Sequence, residues 1–236
     1  MYRLLAIAVP GITLLALIAH YLLYGPKHRE AARENRTVPR FSLWERLIHI
    51  LTMAAFLTLA VTGFTAVIGY SEPVRGWLLI VHWIAGPVFA LGLTAMTLTW
   101  CEVCRFAPYD LEWARKAGGY LGGTDDPPAG LFNGGQKAFF WTIIVLGIVT
   151  ILSGVARMFP VASDADQALI LTAHRYASLL LTASILVHLY LGTIANPGTA
   201  GAAFLGKVSE TWALHHHPNW AAHLKEQQGD SPNHEE

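Results

Sequence analysis

The stretch ALILTAHRYASLLLTASILVHLYLGTI, residues 168–194, is an apolar run that carries two histidines, His174 and His188, and little else that ionises. At about 1.5 Å per residue and about 3.6 residues per turn, their spacing of fourteen residues amounts to just under four turns, so both imidazoles leave one face. One lies near each end of a helix long enough to cross a membrane. A histidine inside a membrane span is costly unless it has a partner, and marks a functional position by default. Two on one stripe call for two partners at matching depths.

Composition sets the broad class. Of 236 residues, 53% are hydrophobic and only 14% charged, which is the balance of a membrane protein rather than a water-soluble one. Acidic and basic residues number sixteen each, so no basic excess points to a nucleic-acid partner. Cys101 and Cys104 are the only cysteines, too few for a disulfide framework.

Five spans are expected along the chain. Tyr2 to Tyr24 is the first, expected to be an uncleaved helix rather than a signal peptide, because its apolar core exceeds the usual signal length and basic residues cluster after it. A polar linker follows, with Lys27, Arg29, Arg33, Arg36 and Arg40. The remaining spans are Leu47 to Ile68, Trp77 to Trp100, Ala138 to Val155, and Ala168 to Ile194. Lysines and arginines concentrate on the cytoplasmic side of a membrane protein. Twelve of the sixteen fall in or beside the linker, the loop between the third and fourth spans, and the tail. The expected orientation therefore has the N-terminus outside and the C-terminal tail in the cytoplasm.

That orientation gives each histidine a depth. His49 follows the cytoplasmic start of the second span, and His82 the external start of the third. The last span runs inward, so His174 is external and His188 cytoplasmic. His82 pairs with His174, and His49 with His188. Neutral imidazole is a good iron ligand, and two histidines fill both axial positions of a haem, which suits electron transfer. Two haems are expected, one per pair. Close approach of a flat macrocycle calls for small residues. Gly63 lies fourteen residues after His49, and Gly86 one turn after His82. The bland alternative is that each histidine simply hydrogen-bonds to a neighbouring helix.

The long loop carries the breakers Gly118-Gly119, Gly122-Gly123 and Asp125-Asp126-Pro127-Pro128, and the residues around Trp113 are expected to form a short interfacial helix. Its end, Phe132-Asn133-Gly134-Gly135-Gln136-Lys137, meets the fourth span near the depth of His49 and His188. An asparagine and exposed glycine N–H groups could bind a quinone carbonyl. Equally, Asn133 could cap the helix with Gln136 as its box partner.

Several motifs in order carry a family resemblance: Glu45-Arg46-Leu47-Ile48-His49; the loop end just quoted, followed by Phe139-Phe140-Trp141; Val187-His188-Leu189-Tyr190; and Gly206-Lys207-Val208-Ser209 through Trp212 to His216-His217-Pro218 and Trp220. From about Arg40 to Trp220 the chain resembles the gamma subunit, a two-haem cytochrome b, of respiratory membrane-bound formate dehydrogenases. The resemblance implies that His49 and His188 ligate a cytoplasmic-side haem b and His82 and His174 an external one, and that Asn133 and Gly135, beside His188, line a menaquinone site. It also implies an iron–sulfur beta subunit and a molybdenum or tungsten alpha subunit as partners, in a bacterial cytoplasmic (inner) membrane. Such a subunit transfers electrons to quinone but does not itself oxidise formate. Related cytochromes serve hydrogenases and sulfur-compound reductases.

The helix Tyr2 to Tyr24 departs from the four-span pattern of the best-known relatives. It is expected to pack on the outside of the bundle, where it could replace an anchor that a partner supplies. The expected architecture is an all-α membrane protein: the extra helix over residues 1–24, a basic linker over 25–45, a four-helix haem-binding bundle over 46–194 with a cytoplasmic loop over 101–137, and a tail over 195–236. Arg46, beside His49, is a candidate for a haem propionate. Arg175 is expected to snorkel to the headgroups. Cys101 and Cys104 form CxxC without the following histidine of a c-type site; Arg105 stands there. His215, His216 and His217 look like a metal cluster or a tag remnant, but the resemblance places the last two in an ordinary cytoplasmic tail motif, and His20 has no expected partner. In a different class, the four span histidines could form a metal pathway in a transporter, but the four main spans as delimited here hold no aspartate or glutamate, which such a pathway would usually add. A passive anchor would leave four imidazoles without a use.

Overall fold

A computed structural model describes residues 1–70, 73–122, 126–159 and 163–229. Gly123 and Asp125, two of the expected loop breakers, lie outside the described residues. Five helices are long and apolar enough to cross a membrane: α1 (Tyr2–Tyr24), α2 (Leu43–Phe64), α3 (Trp77–Trp100), α5 (Gly134–Met158) and α6 (Asp164–Tyr190). Between α3 and α5 lies the short α4 (Pro108–Arg115), where an interfacial helix is expected. After α6 come α7 (Thr199–Leu205), α8 (Glu210–His216) and α9 (Pro218–Gly229). The chain is an all-α multi-pass membrane protein.

Local chemistry starts and stops these helices. Gly25, at φ 67°, ends α1 and returns its N–H to Tyr21 O. Ser42 and Glu45 form a capping box that opens α2, and Glu45 Oε1 also accepts from Trp100 Nε1 at 2.8 Å, tying the start of α2 to the end of α3. Asn133 and Gln136 form the box that opens α5. Ser163 caps α6. The spans run longer than hydropathy alone suggests because these caps lie in polar residues outside the apolar cores. Two spans also continue through a wider π-helical turn, α2 over Thr65–Tyr70 and α6 over Leu191–Ala195.

The spans form two hairpins, α2 with α3 and α5 with α6, joined chiefly where α3 meets α5; α1 packs on α6. An apolar layer made by Phe56, Phe89, Leu93, Phe140, Ile144 and Leu181 fills the centre. Leu181 is seven residues from both His174 and His188, so this layer separates two histidine levels. Outward, Leu91, Leu98, Val145, Leu152, Leu169 and Leu180 are exposed, as side chains facing lipid would be.

The linker, the loop and the tail fold into one cap over the end of the bundle that carries His49 and His188. A two-residue strand β1 (Val38–Pro39) pairs antiparallel with β2 (Lys207–Val208). Beneath it Ala31, Ala202, Val208, Trp212 and Ala213 form a second apolar cluster. Arg40 is buried there, its guanidinium 4.6 Å from the Trp212 ring, with Nη2 donating to Leu131 O.

Candidate functional site

His49 sits on the second turn of α2 and His188 on the last turn of α6, and their ring centres are 6.3 Å apart. At the other end, His82 of α3 and His174 of α6 also have ring centres 6.3 Å apart. The structure thus brings together the two pairs that depth suggests. Two imidazole nitrogens each about 2 Å from a shared metal ion, with ring centres about 1 Å behind them, would stand about 6 Å apart. Both pairs have room for one iron between the rings.

The hydrogen bonds of the second pair fix which nitrogen is free. Thr62 Oγ1 gives its proton to Thr58 O, at 2.8 Å. Its oxygen can therefore only accept from His82 Nδ1, at 2.7 Å. Likewise Ser153 Oγ donates to Val149 O at 2.6 Å, so His174 Nδ1 is the donor, shared between Thr150 O at 3.0 Å and Ser153 Oγ at 3.2 Å. A proton held on Nδ1 leaves the Nε2 lone pair for a metal, the usual outer arrangement around a ligating histidine. In the first pair His49 Nδ1 is buried with no hydrogen-bond partner among the described residues, and His188 stacks on Phe139 at 4.2 Å and 3°. A bland hydrogen bond to a neighbouring helix does not account for His49.

Space for a flat ring comes from helix spacing and glycine. α2 and α3 make few backbone contacts with α6, although each presents an imidazole to it. A Cβ on Gly63 would lie 3.9 Å from His82 Cε1, and one on Gly154 would lie 3.3 Å from His174 Cε1. Around Gly86 a Cβ would meet nothing within 4 Å. Sequence reasoning missed Gly154, Thr62 and Ser153. The spacing of Gly154, twenty residues before His174 on another helix, gives no signal without the fold.

Asn133 caps the start of α5, and Gly135 lies one turn before Phe139, the ring stacked on His188. The capping reading is present in the geometry: Gln136 N donates to Asn133 Oδ1 at 2.9 Å and Asn133 N to Gln136 Oε1 at 3.0 Å. Asn133 also borders a small polar recess under the cap. Gly135 has a packing role as well, since the Trp113 ring fills the place of a side chain. Arg46 directs Nη1 to Phe204 O at 2.9 Å and Nε to Ser42 O at 3.4 Å, which turns part of its guanidinium toward the tail.

Other sequence expectations meet mixed outcomes. His20 does have partners: Nε2 donates to Tyr120 O at 3.0 Å, so Nδ1 accepts from Tyr190 OH at 2.6 Å. Two elements far apart in sequence supply them, which is why spacing shows neither. Arg175 lies at the end of the bundle, 5.2 Å from the Tyr2 ring. Cys104 is buried and its thiol is pushed up to about 12, first by burial, with Lys137 opposing; Cys101 is half-buried and not bonded to it. His217 is buried, donates from Nδ1 to Gly130 O at 2.6 Å and accepts from Arg40 Nη2 at 3.0 Å. Burial, then the Arg40 charge, holds it neutral.

The family model described as prokaryotic cytochrome b561 matches residues 40–206. The chain is 27% identical over 202 residues to the formate dehydrogenase cytochrome b556(fdo) subunit of Escherichia coli K12, covering 80% of this chain and 93% of that protein. Against the nitrate-inducible cytochrome b556(Fdn) subunit of the same organism it is 26% identical, covering 79% and 91%. The formate dehydrogenase cytochrome b556 subunit of Haemophilus influenzae is 24% identical, with 79% and 80% covered.

Proposed function

This chain belongs to the prokaryotic cytochrome b561 family, and from that premise we infer that it is the membrane cytochrome b subunit of a respiratory formate dehydrogenase, carrying electrons across the membrane to menaquinone or a related quinone. The observation that carries the reading is the two imidazole pairs, one at each end of α6, with ring centres at one and the same distance. The names of its relatives supply the formate dehydrogenase context.

His49 with His188, and His82 with His174, are the pairs that would each hold a haem b. Haem b held by each pair would supply a reversible one-electron centre. Thr62, Ser153 and Thr150 O orient His82 and His174 by accepting from Nδ1, while Phe139 holds the plane of His188. The central apolar layer keeps water from bridging the two levels. At the capped end, taken as cytoplasmic from the lysine and arginine bias, Asn133 Nδ2 and the first-turn N–H of Gly135 are donors for a quinone carbonyl. Water at the cap would deliver the protons that reduced quinone takes up. Arg46, with the part of its guanidinium not bound to carbonyls, would neutralise a propionate. An iron–sulfur subunit docked at the opposite end, and a molybdenum or tungsten subunit beyond it, would supply the electrons. The membrane is then the bacterial inner membrane, with the N-terminus outside, and α1 would replace an anchor that a partner otherwise supplies. This subunit oxidises no formate by itself.

The test is a reduced-minus-oxidised visible spectrum with haem quantification on the purified complex, beside His82→Ala and His188→Ala. The expected result is two b haems per chain, with a different one lost in each variant. A complex that assembles without haem, or both variants losing the same centre, would overturn the reading.

A further inference from the structure

A second group of ligating side chains lies in the cap, away from both imidazole pairs. His28 comes from the linker, Asp126 from the long loop, and His215 and His216 from the end of α8. His28 Nε2 is 3.1 Å from Asp126 Oδ1, and His215 Nδ1 is 2.5 Å from Asp126 Oδ2. The His28 and His215 rings are stacked at 4.1 Å and 13°. One donor atom from each of His28, Asp126 and His215 falls within 4.8 Å of the others.

Hydrogen bonding within this group leaves two features unexplained. The His216 ring stands edge-on to His28 at 5.3 Å, yet its Nε2 is buried with no hydrogen-bond partner among the described residues. His28 also holds a left-handed backbone, at φ 45°, which costs energy for a residue with a side chain. All four side chains line the recess that Asn133 borders, and it has room for an ion or a water or two and little more.

We propose that His28, Asp126 and His215 bind one divalent transition-metal ion of the zinc class, with His216 lining the remaining coordination position. Two imidazoles and one carboxylate, with a fourth place left over, are a set that zinc accepts and that magnesium or calcium does not favour. The Glu30 carboxylate, 3.7 Å from His28 Nδ1, favours the proton there and leaves Nε2 for the metal. Lys27 lines the same recess and is the competing cation, balancing Asp126 in the metal-free protein. The three ligands come from segments that are 98 and 89 residues apart. The ion would therefore fasten the linker, and with it α1, to the loop and the tail. The proposal does not depend on the haem reading, because none of its ligands lies in a span.

The test uses the full chain in its haem-containing complex, dialysed against EDTA, titrated with zinc and assayed for zinc content, beside Asp126→Asn and His215→Gln. The expected result is one zinc per chain in the native protein, affinity reduced at least about tenfold in each variant, and unchanged haem content in both. X-ray absorption at the zinc edge should show only nitrogen and oxygen neighbours, at about 2.0–2.2 Å. Native protein that retains no zinc overturns the proposal. So does zinc retained equally by both variants, or a sulfur neighbour, which would move the ion to Cys101 and Cys104.

Discussion

Asn133 offers two groups that one substitution separates. Its Oδ1 caps α5, and its Nδ2 is the donor proposed for quinone. Asn133→Asp keeps a capping oxygen and removes the donor, so haem content and thermal stability should be unchanged while quinone reduction falls. Loss of one hydrogen bond of about 1.4 kcal/mol corresponds to about a tenfold lower rate, measured with a menaquinone analogue. A variant with unaltered turnover would return Asn133 to capping alone. At this scale the pairing of the four histidines was legible, because depth in a membrane is counted along a straight helix. Their supports were not. Thr58, Thr94, Thr99 and Thr142 return their hydroxyls to the carbonyl four residues back as Thr62 does, and that habit is common to membrane threonines. Only the neighbouring helix shows that Thr62 has a second duty.

Among the elements, α4 is held to α5 by an ion pair that is out of contact with water. Lys137 Nζ is 2.7 Å from Asp110 Oδ2, with the two side chains 2% and 5% exposed. Asp110 Oδ2 also accepts from Ala107 N at the start of α4. Asp110→Asn retains that bond but strands a buried ammonium, which costs about 3–5 kcal/mol. Thermal unfolding of the variant should show a clearly lower midpoint, and Lys137→Met added to it should restore much of the loss, because the orphan charge is then gone. The sequence carries the five spans in its hydropathy and the opening of α5 in its Asn133–Gln136 pattern. It does not carry the π-helical turns that extend α2 and α6, since one extra residue in a turn leaves an apolar run apolar.

At the scale of the whole molecule, the four histidines proposed to hold haem stand on α2, α3 and α6, whereas α1 touches the rest through contacts such as Tyr2 OH to Arg175 O at 2.9 Å and His20 to Tyr190. A chain lacking residues 1–37 should therefore keep its haem-to-protein ratio and melt several degrees lower, because Ser209 Oγ loses Ala31 O and Tyr190 loses His20. Loss of haem from that chain would place α1 in the scaffold of the bundle. The cap could not be read in advance: its core joins Ala31 to Trp212 and its strands pair Val38 with Val208, and no periodicity spans such separations. One dimension of α6 has a further consequence. Membrane helices usually accommodate changes in length by tilting, but here the same helix carries one histidine of each pair and acts as a ruler between the two. A single residue inserted between His174 and His188 would swing one imidazole by about 100° away from its partner. The interval is therefore rigid in length, and any growth or shrinkage of this helix has to fall outside it, toward Asp164 or Ala195.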